Sequence, residues 1–140
     1  MDAIMTFFGL NILAVLVSAV IYMGVAALWY SPLLFGRRWM EENRFREEDL
    51  ERRGMMPALG FAVLAAIVLA IGLALLIRIS GMTNWFTGAL MGAFAGLLIS
   101  APAALPVYVF ENRSMRLFLL NEGMPATALI VMGAVLGGWR

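Results

Sequence analysis

Long runs without a charged residue constrain the fold of this chain more than any other feature. No charge occurs from Ala3 to Gly36, from Gly54 to Ile77 or from Ile79 to Phe110. A fourth run, from Leu117 to Trp139, is interrupted only by Glu122. A helix that crosses a bilayer needs about 20 consecutive apolar residues. The sequence therefore predicts four membrane-spanning helices.

These runs predict an all-α fold, an integral membrane four-helix bundle that forms a single transmembrane domain over residues 1–140. The spans are expected at about residues 7–30, 56–77, 85–110 and 117–138. The polar segment 37–54 places acids four residues before arginines, as in Glu42 and Arg46. This spacing supports a helix. We therefore expect a short cytoplasmic surface helix between spans one and two.

The composition excludes the most common kinds of metal-binding and catalytic site. Hydrophobic residues make up 63% and charged residues 14%, whereas soluble domains have about 45–50% and about 25%. The chain has no Cys, no His and no Lys, and its net charge is +1. It therefore lacks the usual metal ligands, histidine bases and Schiff-base lysines. We expect no metal, no cofactor, no enzymatic activity and no nucleic-acid partner.

The arginines predict the orientation. The first connection, residues 37–54, holds six of them and the third, residues 111–116, holds two, whereas the opposite side has only Arg78 and Arg140. Arginine is enriched in cytoplasmic loops of membrane proteins. Both arginine-rich loops are therefore expected in the cytoplasm, with both termini outside.

Small residues recur every fourth position in three of the spans. The predicted packing residues are Ala62, Ala66, Ala70, Gly88, Gly92, Gly96, Gly133 and Gly137. Lipid gives no hydrophobic drive for helix association, so helices pack where small residues allow close backbone approach. The stripes hold the monomer together in one interpretation and form a homo-oligomer in the other, and the sequence favours neither.

Polar and helix-breaking residues gather in the predicted cytoplasmic half. The expected helix kinks are Pro102, Pro106 and Pro125, and the candidate polar site is Tyr30, Ser31, Glu111, Arg113, Arg116, Asn121 and Glu122. Proline leaves a backbone carbonyl without its helical partner. Acids within a bilayer are expensive and often functional. Glu122 would bind a cation or relay a proton, or it is a shallow interfacial residue.

Several motifs carry a family resemblance. They are Trp29-Tyr30-Ser31-Pro32-Leu33-Leu34-Phe35-Gly36, Tyr108-Val109-Phe110-Glu111, Asn121-x-Gly123 and the ending from Met132 to Trp139. With them the chain resembles domain-of-unknown-function family 1761, small bacterial four-span membrane proteins. The resemblance implies a four-helix domain in the bacterial cytoplasmic (inner) membrane, and it implies no activity.

Three functional hypotheses follow. The first is a protein that acts by helix assembly, as a homo-oligomer or as an accessory subunit of a larger membrane complex. The second is a small oligomeric transporter or channel with its site at the cytoplasmic half of spans three and four. The third is a protein or enzyme that binds lipid headgroups through Tyr30, Ser31, Glu111, Arg113 and Arg116. Membrane lipid is an expected partner in all three.

Overall fold

The structure of the chain is a computed structural model that describes residues 6–7, 10–43, 55–81 and 84–139. Its five helices are α1 (Ile12–Trp29), α2 (Gly36–Asn43), α3 (Met55–Ser80), α4 (Trp85–Phe110) and α5 (Met115–Gly138). All except α2 are long and apolar enough to cross a membrane. The all-α, four-span prediction is therefore confirmed.

The start of α1 is set by a cap. The side chain of Asn11 accepts a hydrogen bond of 3.1 Å from the backbone N–H of Ala14, the usual role of Asn at a helix N-terminus. Before the helix, strand β1 (Thr6–Phe7) pairs antiparallel with β2 (Leu10–Asn11). Hydropathy alone placed the start near residue 7, because apolarity does not distinguish these extended residues from helical ones.

A surface helix lies between the first two spans, as the sequence predicts. It is α2, which begins at Gly36 and ends at Asn43. The expected pairing of Glu42 with Arg46 lies outside the described residues, as does the rest of the connection up to residue 54.

The prolines of α4 change its winding without ending it. Residues Phe94–Ser100 form a π-helical segment, in which the N–H of Ala101 donates to the carbonyl of Gly96, five residues earlier. Pro102 follows directly and has no N–H of its own, and its ring needs space against the preceding turn. A wider π turn supplies that space. Pro106 and, in α5, Pro125 also lie inside their helices.

Helix α5 is the central element of the bundle. In its most apolar 18-residue window 39% of the residues are buried, against 11% for α4. The largest buried cluster joins α1, α3 and α5, with Ala14, Ala66, Ala70 and Met132 completely inaccessible. Ala62, earlier in the α3 stripe, is half-buried. The stripe of small residues on α3 therefore packs within the chain.

The glycines of α4 meet those of α5 directly. A Cβ atom added at Gly88 would overlap the carbonyl oxygen of Gly133, and one added at Gly96 would lie 2.6 Å from the Cα atom of Ala126. A Cβ atom added at Gly137 would likewise lie 2.9 Å from the Cα atom of Gly88. Such backbone contact requires residues without side chains. These stripes are therefore used inside one chain.

Candidate functional site

The α2 end of the bundle is the end where α1 and α4 finish and α5 begins. There the side chain of Asn121 joins three helices: its Oδ1 accepts from the hydroxyl of Tyr30 at 3.2 Å, and its Nδ2 donates to the hydroxyl of Tyr108 at 2.8 Å. An amide suits this place because it offers both an acceptor and donors. Burial raises the pKa of Tyr30 to about 12, so the phenol remains a donor.

Trp29 attaches the end of α1 to the first turns of α5. Its indole Nε1–H donates to the carbonyl of Leu120 at 2.9 Å. Its ring lies over Gly123, where an added Cβ atom would come within 2.9 Å of the ring atom Cζ2. Both named residues of the Asn121-x-Gly123 motif thus have a structural role. The amide of Asn121 is hydrogen-bonded to two tyrosines, and Gly123 leaves space for the indole ring of Trp29.

The distinctive segment from Trp29 to Gly36 is a compact turn. The N–H of Phe35 donates to the carbonyl of Trp29 at 3.0 Å, and the N–H of Gly36 donates to that of Ser31 at 2.9 Å. Gly36 is so close to the backbone of Ser31 that a Cβ atom would lie 2.8 Å from its carbonyl oxygen. The rings of Trp29 and Phe35 are 4.6 Å apart. The turn therefore holds Trp29 and Tyr30 against α5.

The predicted polar site does not come together as one cluster. Tyr30 and Asn121 are hydrogen-bonded to each other. The hydroxyl of Ser31 instead donates at 2.7 Å to the carbonyl of Leu28 in the last turn of α1. Arg113 lies 5.0 Å from the ring centre of Tyr108 and 3.8 Å from the carboxylate of Glu111. These contacts place Arg113 and Glu111 on the α4–α5 turn, beside the Tyr108 hydrogen bond.

Glu122 and the three prolines take no part in the hydrogen bonds around Asn121. Glu122 is half-buried and interacts electrostatically with Tyr22 and Tyr30. Within the described residues it has no hydrogen bond or ion pair. Pro102 and Pro106 are exposed on α4, and Pro125 is half-buried in α5. Neither this acid nor the prolines take part in the hydrogen bonds of Asn121 with Tyr30 and Tyr108.

One contact between α2 and the start of α5 is not predictable from the sequence. The hydroxyl of Ser114 accepts from the N–H of Leu117 at 3.0 Å, which caps α5, and donates to Glu42 at 2.7 Å. Serine before a helix is a recognisable cap signal. Nothing in the sequence points to Glu42 as its partner, because the two residues are 72 positions apart.

A groove opens between the end of α1, α2 and the first turns of α5, and we name it the α2 groove. Its volume is about 650 Å³. Its lining consists of Trp29, Phe35, Arg38, Glu41, Glu42, Arg116, Leu119 and Leu120. Of the predicted site residues, only Arg116 contributes to it. Its four charged residues come from α2 and α5, and its four apolar residues come from the end of α1, the following turn and α5, so the α2 groove is amphipathic.

The comparisons with known proteins agree with the resemblance in the motifs. The family model described as "Protein of unknown function (DUF1761)" matches residues 13–137, which is most of the chain and includes the four long helices almost completely. No curated protein and no solved structure matches the chain. The chain, with four helices that can cross a membrane, belongs to the DUF1761 family of proteins of unknown function.

Proposed function

We propose that this chain is a non-enzymatic membrane protein that acts by assembling with further membrane helices, as a homo-oligomer or as an accessory subunit of a larger complex. Three glycines in the spanning helices support this proposal. A Cβ atom added at Gly24 in α1, or at Gly60 or Gly72 in α3, would meet nothing within 4 Å. A side chain at these positions would therefore contact none of the residues that the structure describes.

The position of Gly72 makes the argument specific. It lies about 200° around the helix from Ala70, which is fully buried, and beside Val68, which is 60% exposed. Glycine in a helix interior costs about 1 kcal/mol relative to alanine in water. A small residue on an outward face is useful when another helix packs there. A helix from a second copy, or from a partner protein, would supply that contact.

Single cysteines test this arrangement, because the chain has none of its own. We expect Gly72→Cys, in lipid vesicles under mild oxidation, to give about threefold more cross-linked dimer than Leu90→Cys, since only the outer α3 face approaches a second copy. Leu90 is a matched control on a spanning helix and is 52% exposed. The measurement is the dimer fraction on a non-reducing gel at a low protein-to-lipid ratio.

Isolation from native membranes decides between the two forms of assembly. A copurifying membrane protein whose retention is lost in Gly72→Leu supports the accessory-subunit form, and a dimer or larger homo-oligomer supports the other. A lone monomer in mild detergent, with equal cross-linking from positions 72 and 90, contradicts both.

The remaining hypotheses receive less support. The α2 groove is lined by neither Glu122 nor Pro102 and Pro106, so no observation favours a transporter site at that acid. Ser31, the candidate nucleophile, uses its hydroxyl in a local bond to Leu28, and a nucleophile needs an adjacent base. The first feature counts against a transporter site at Glu122, and the second counts against catalysis by Ser31.

We further propose that the α2 end faces the cytoplasm of a bacterial cell, with both termini outside, because the described arginines other than Arg78 lie at that end and arginine is enriched in cytoplasmic loops. A cysteine at the exposed Arg37 should react with a membrane-impermeant maleimide only after the cells are permeabilised, since the membrane shields it. A cysteine at Gly81, in the exposed turn after α3, should react in intact cells. The reverse pattern would invert the orientation.

A further inference from the structure

We propose that the α2 groove binds the headgroup of a phospholipid that carries both a phosphate and a primary ammonium group, as phosphatidylethanolamine does. This site is separate from the surface proposed for assembly. Three elements form it: the end of α1 with its turn, the polar face of α2, and the first turns of α5. Its volume of about 650 Å³ lies within the range of about 300–1,000 Å³ for small-molecule sites.

The charged side chains that line the groove form no ion pairs with one another within the described residues. Arg38 precedes Glu41 by three residues and Glu42 by four, spacings at which helical ion pairs form. In the described part of the chain, however, neither Arg38 nor Arg116 has an ion pair, and Glu42 accepts from Ser114 instead. Two guanidinium groups and two carboxylates therefore line one groove with their charges available to a ligand.

The charge pattern selects the headgroup. Guanidinium groups bind phosphate oxygens in a bidentate geometry, and Arg38 and Arg116 supply two of them. A purely anionic headgroup would also meet the carboxylates of Glu41 and Glu42, which repel it. A primary ammonium group is attracted to them instead and can donate hydrogen bonds to their oxygens, which a quaternary ammonium group cannot do. Equal numbers of acids and bases in the lining thus complement a zwitterion.

The apolar wall identifies the ligand as a lipid rather than a free phosphate ester. Leu119 and Leu120 lie about 5–6 Å further along α5 than Arg116, from a rise of 1.5 Å per residue. Leu119 is 64% exposed, so its side chain is available for contact with an acyl chain. The indole of Trp29, a residue type that favours membrane interfaces, completes this wall. A lipid would place its phosphate at Arg116 and its chains along the leucines.

Native mass spectrometry of the detergent-purified protein tests the proposal. The probes are phosphatidylethanolamine, phosphatidylglycerol and phosphatidylcholine with identical acyl chains. We expect phosphatidylethanolamine to bind about fivefold more tightly than either of the others, a factor in the range measured for exposed charge pairs. Equal affinity for all three overturns the proposal. Displacement of the lipid by millimolar phosphoethanolamine would equally overturn it, because the apolar wall would then add nothing.

Two variants test separately whether Arg116 binds the phosphate and whether Glu41 binds the ammonium group. Arg116→Gln should weaken both phosphatidylethanolamine and phosphatidylglycerol about fivefold, because both contain phosphate. Glu41→Gln should weaken phosphatidylethanolamine and strengthen phosphatidylglycerol, which no general loss of structure would produce. Arg37→Gln is the matched control, since Arg37 is exposed on α2 but does not line the groove. An equal effect of Arg37→Gln, or a Glu41→Gln effect of the same sign on both lipids, overturns the assignment.

Discussion

Gly92→Leu is expected to destabilise the bundle by about 3 kcal/mol or more, at the upper end of the cost of overpacking. A Cβ atom at position 92 would overlap the carbonyl oxygen of Leu129 and lie 2.9 Å from the Cα atom of Ile130. Both are backbone atoms, so no rotamer change of a neighbour relieves the overlap. The helices α4 and α5 must separate, and their close contact is lost along its length.

The measurement is unfolding of the protein in mild detergent by titration with a denaturing detergent, followed by circular dichroism. Ala103→Leu is the control on the same helix, because Ala103 is exposed and a larger side chain there should leave the unfolding midpoint nearly unchanged. Gly92→Ala should already lower the midpoint, since the Cβ atom alone produces the overlap. Equal midpoints for Gly92→Leu and Ala103→Leu would refute the close approach of α4 and α5.

Asn121→Leu should have the second largest effect, a loss of about 1–3 kcal/mol in the free energy of unfolding, the range for leaving buried polar groups without partners. The substitution keeps a side chain of similar size but removes the bonds to Tyr30 and Tyr108. Tyr108 is only 6% exposed, so its hydroxyl has little access to water. The three helices would then be held at this end by Trp29 and apolar contacts.

A double-mutant cycle isolates this network. Tyr108→Phe alone should cost about 0.5–1.5 kcal/mol, and in the Asn121→Leu background it should cost much less or restore stability, because it removes the hydroxyl that lost its partner. Ser31→Ala is the control, since its hydroxyl bonds only within its own turn. Additive losses at positions 108 and 121 would show that the hydrogen bond contributes nothing.

The spans could be predicted because they depend on local composition. A bilayer imposes a minimum apolar length, which three charge-free runs and a fourth run with the single charge of Glu122 satisfied. Family membership was also recognisable, since motifs such as Asn121-x-Gly123 are read directly from the chain. The start of α1 was harder to predict from the sequence. Asn11 caps the helix, but the residues before it are also apolar, so hydropathy does not mark this boundary.

The candidate site could be predicted only as a layer of polar residues near one end. The sequence placed Tyr30 and Asn121 in that layer, and it equally admitted Ser31 and Glu122. Which of these meet depends on the rotation of each helix about its axis. The bond from Tyr30 to Asn121 joins residues 91 positions apart, and no local pattern encodes such a distance.

The sequence by itself determined that the chain forms four helices long and apolar enough to cross a membrane, that these helices can approach closely through glycine and alanine, and that the chain has no histidine, cysteine or lysine. Only the tertiary structure decided that the glycine stripes of α4 and α5 face each other within one chain, that Asn121 joins Tyr30 to Tyr108, and that Arg38 shares a groove with Arg116. The reason is that hydropathy and spacing are properties along one helix, whereas contact between helices depends on their mutual rotation and depth, which packing alone fixes.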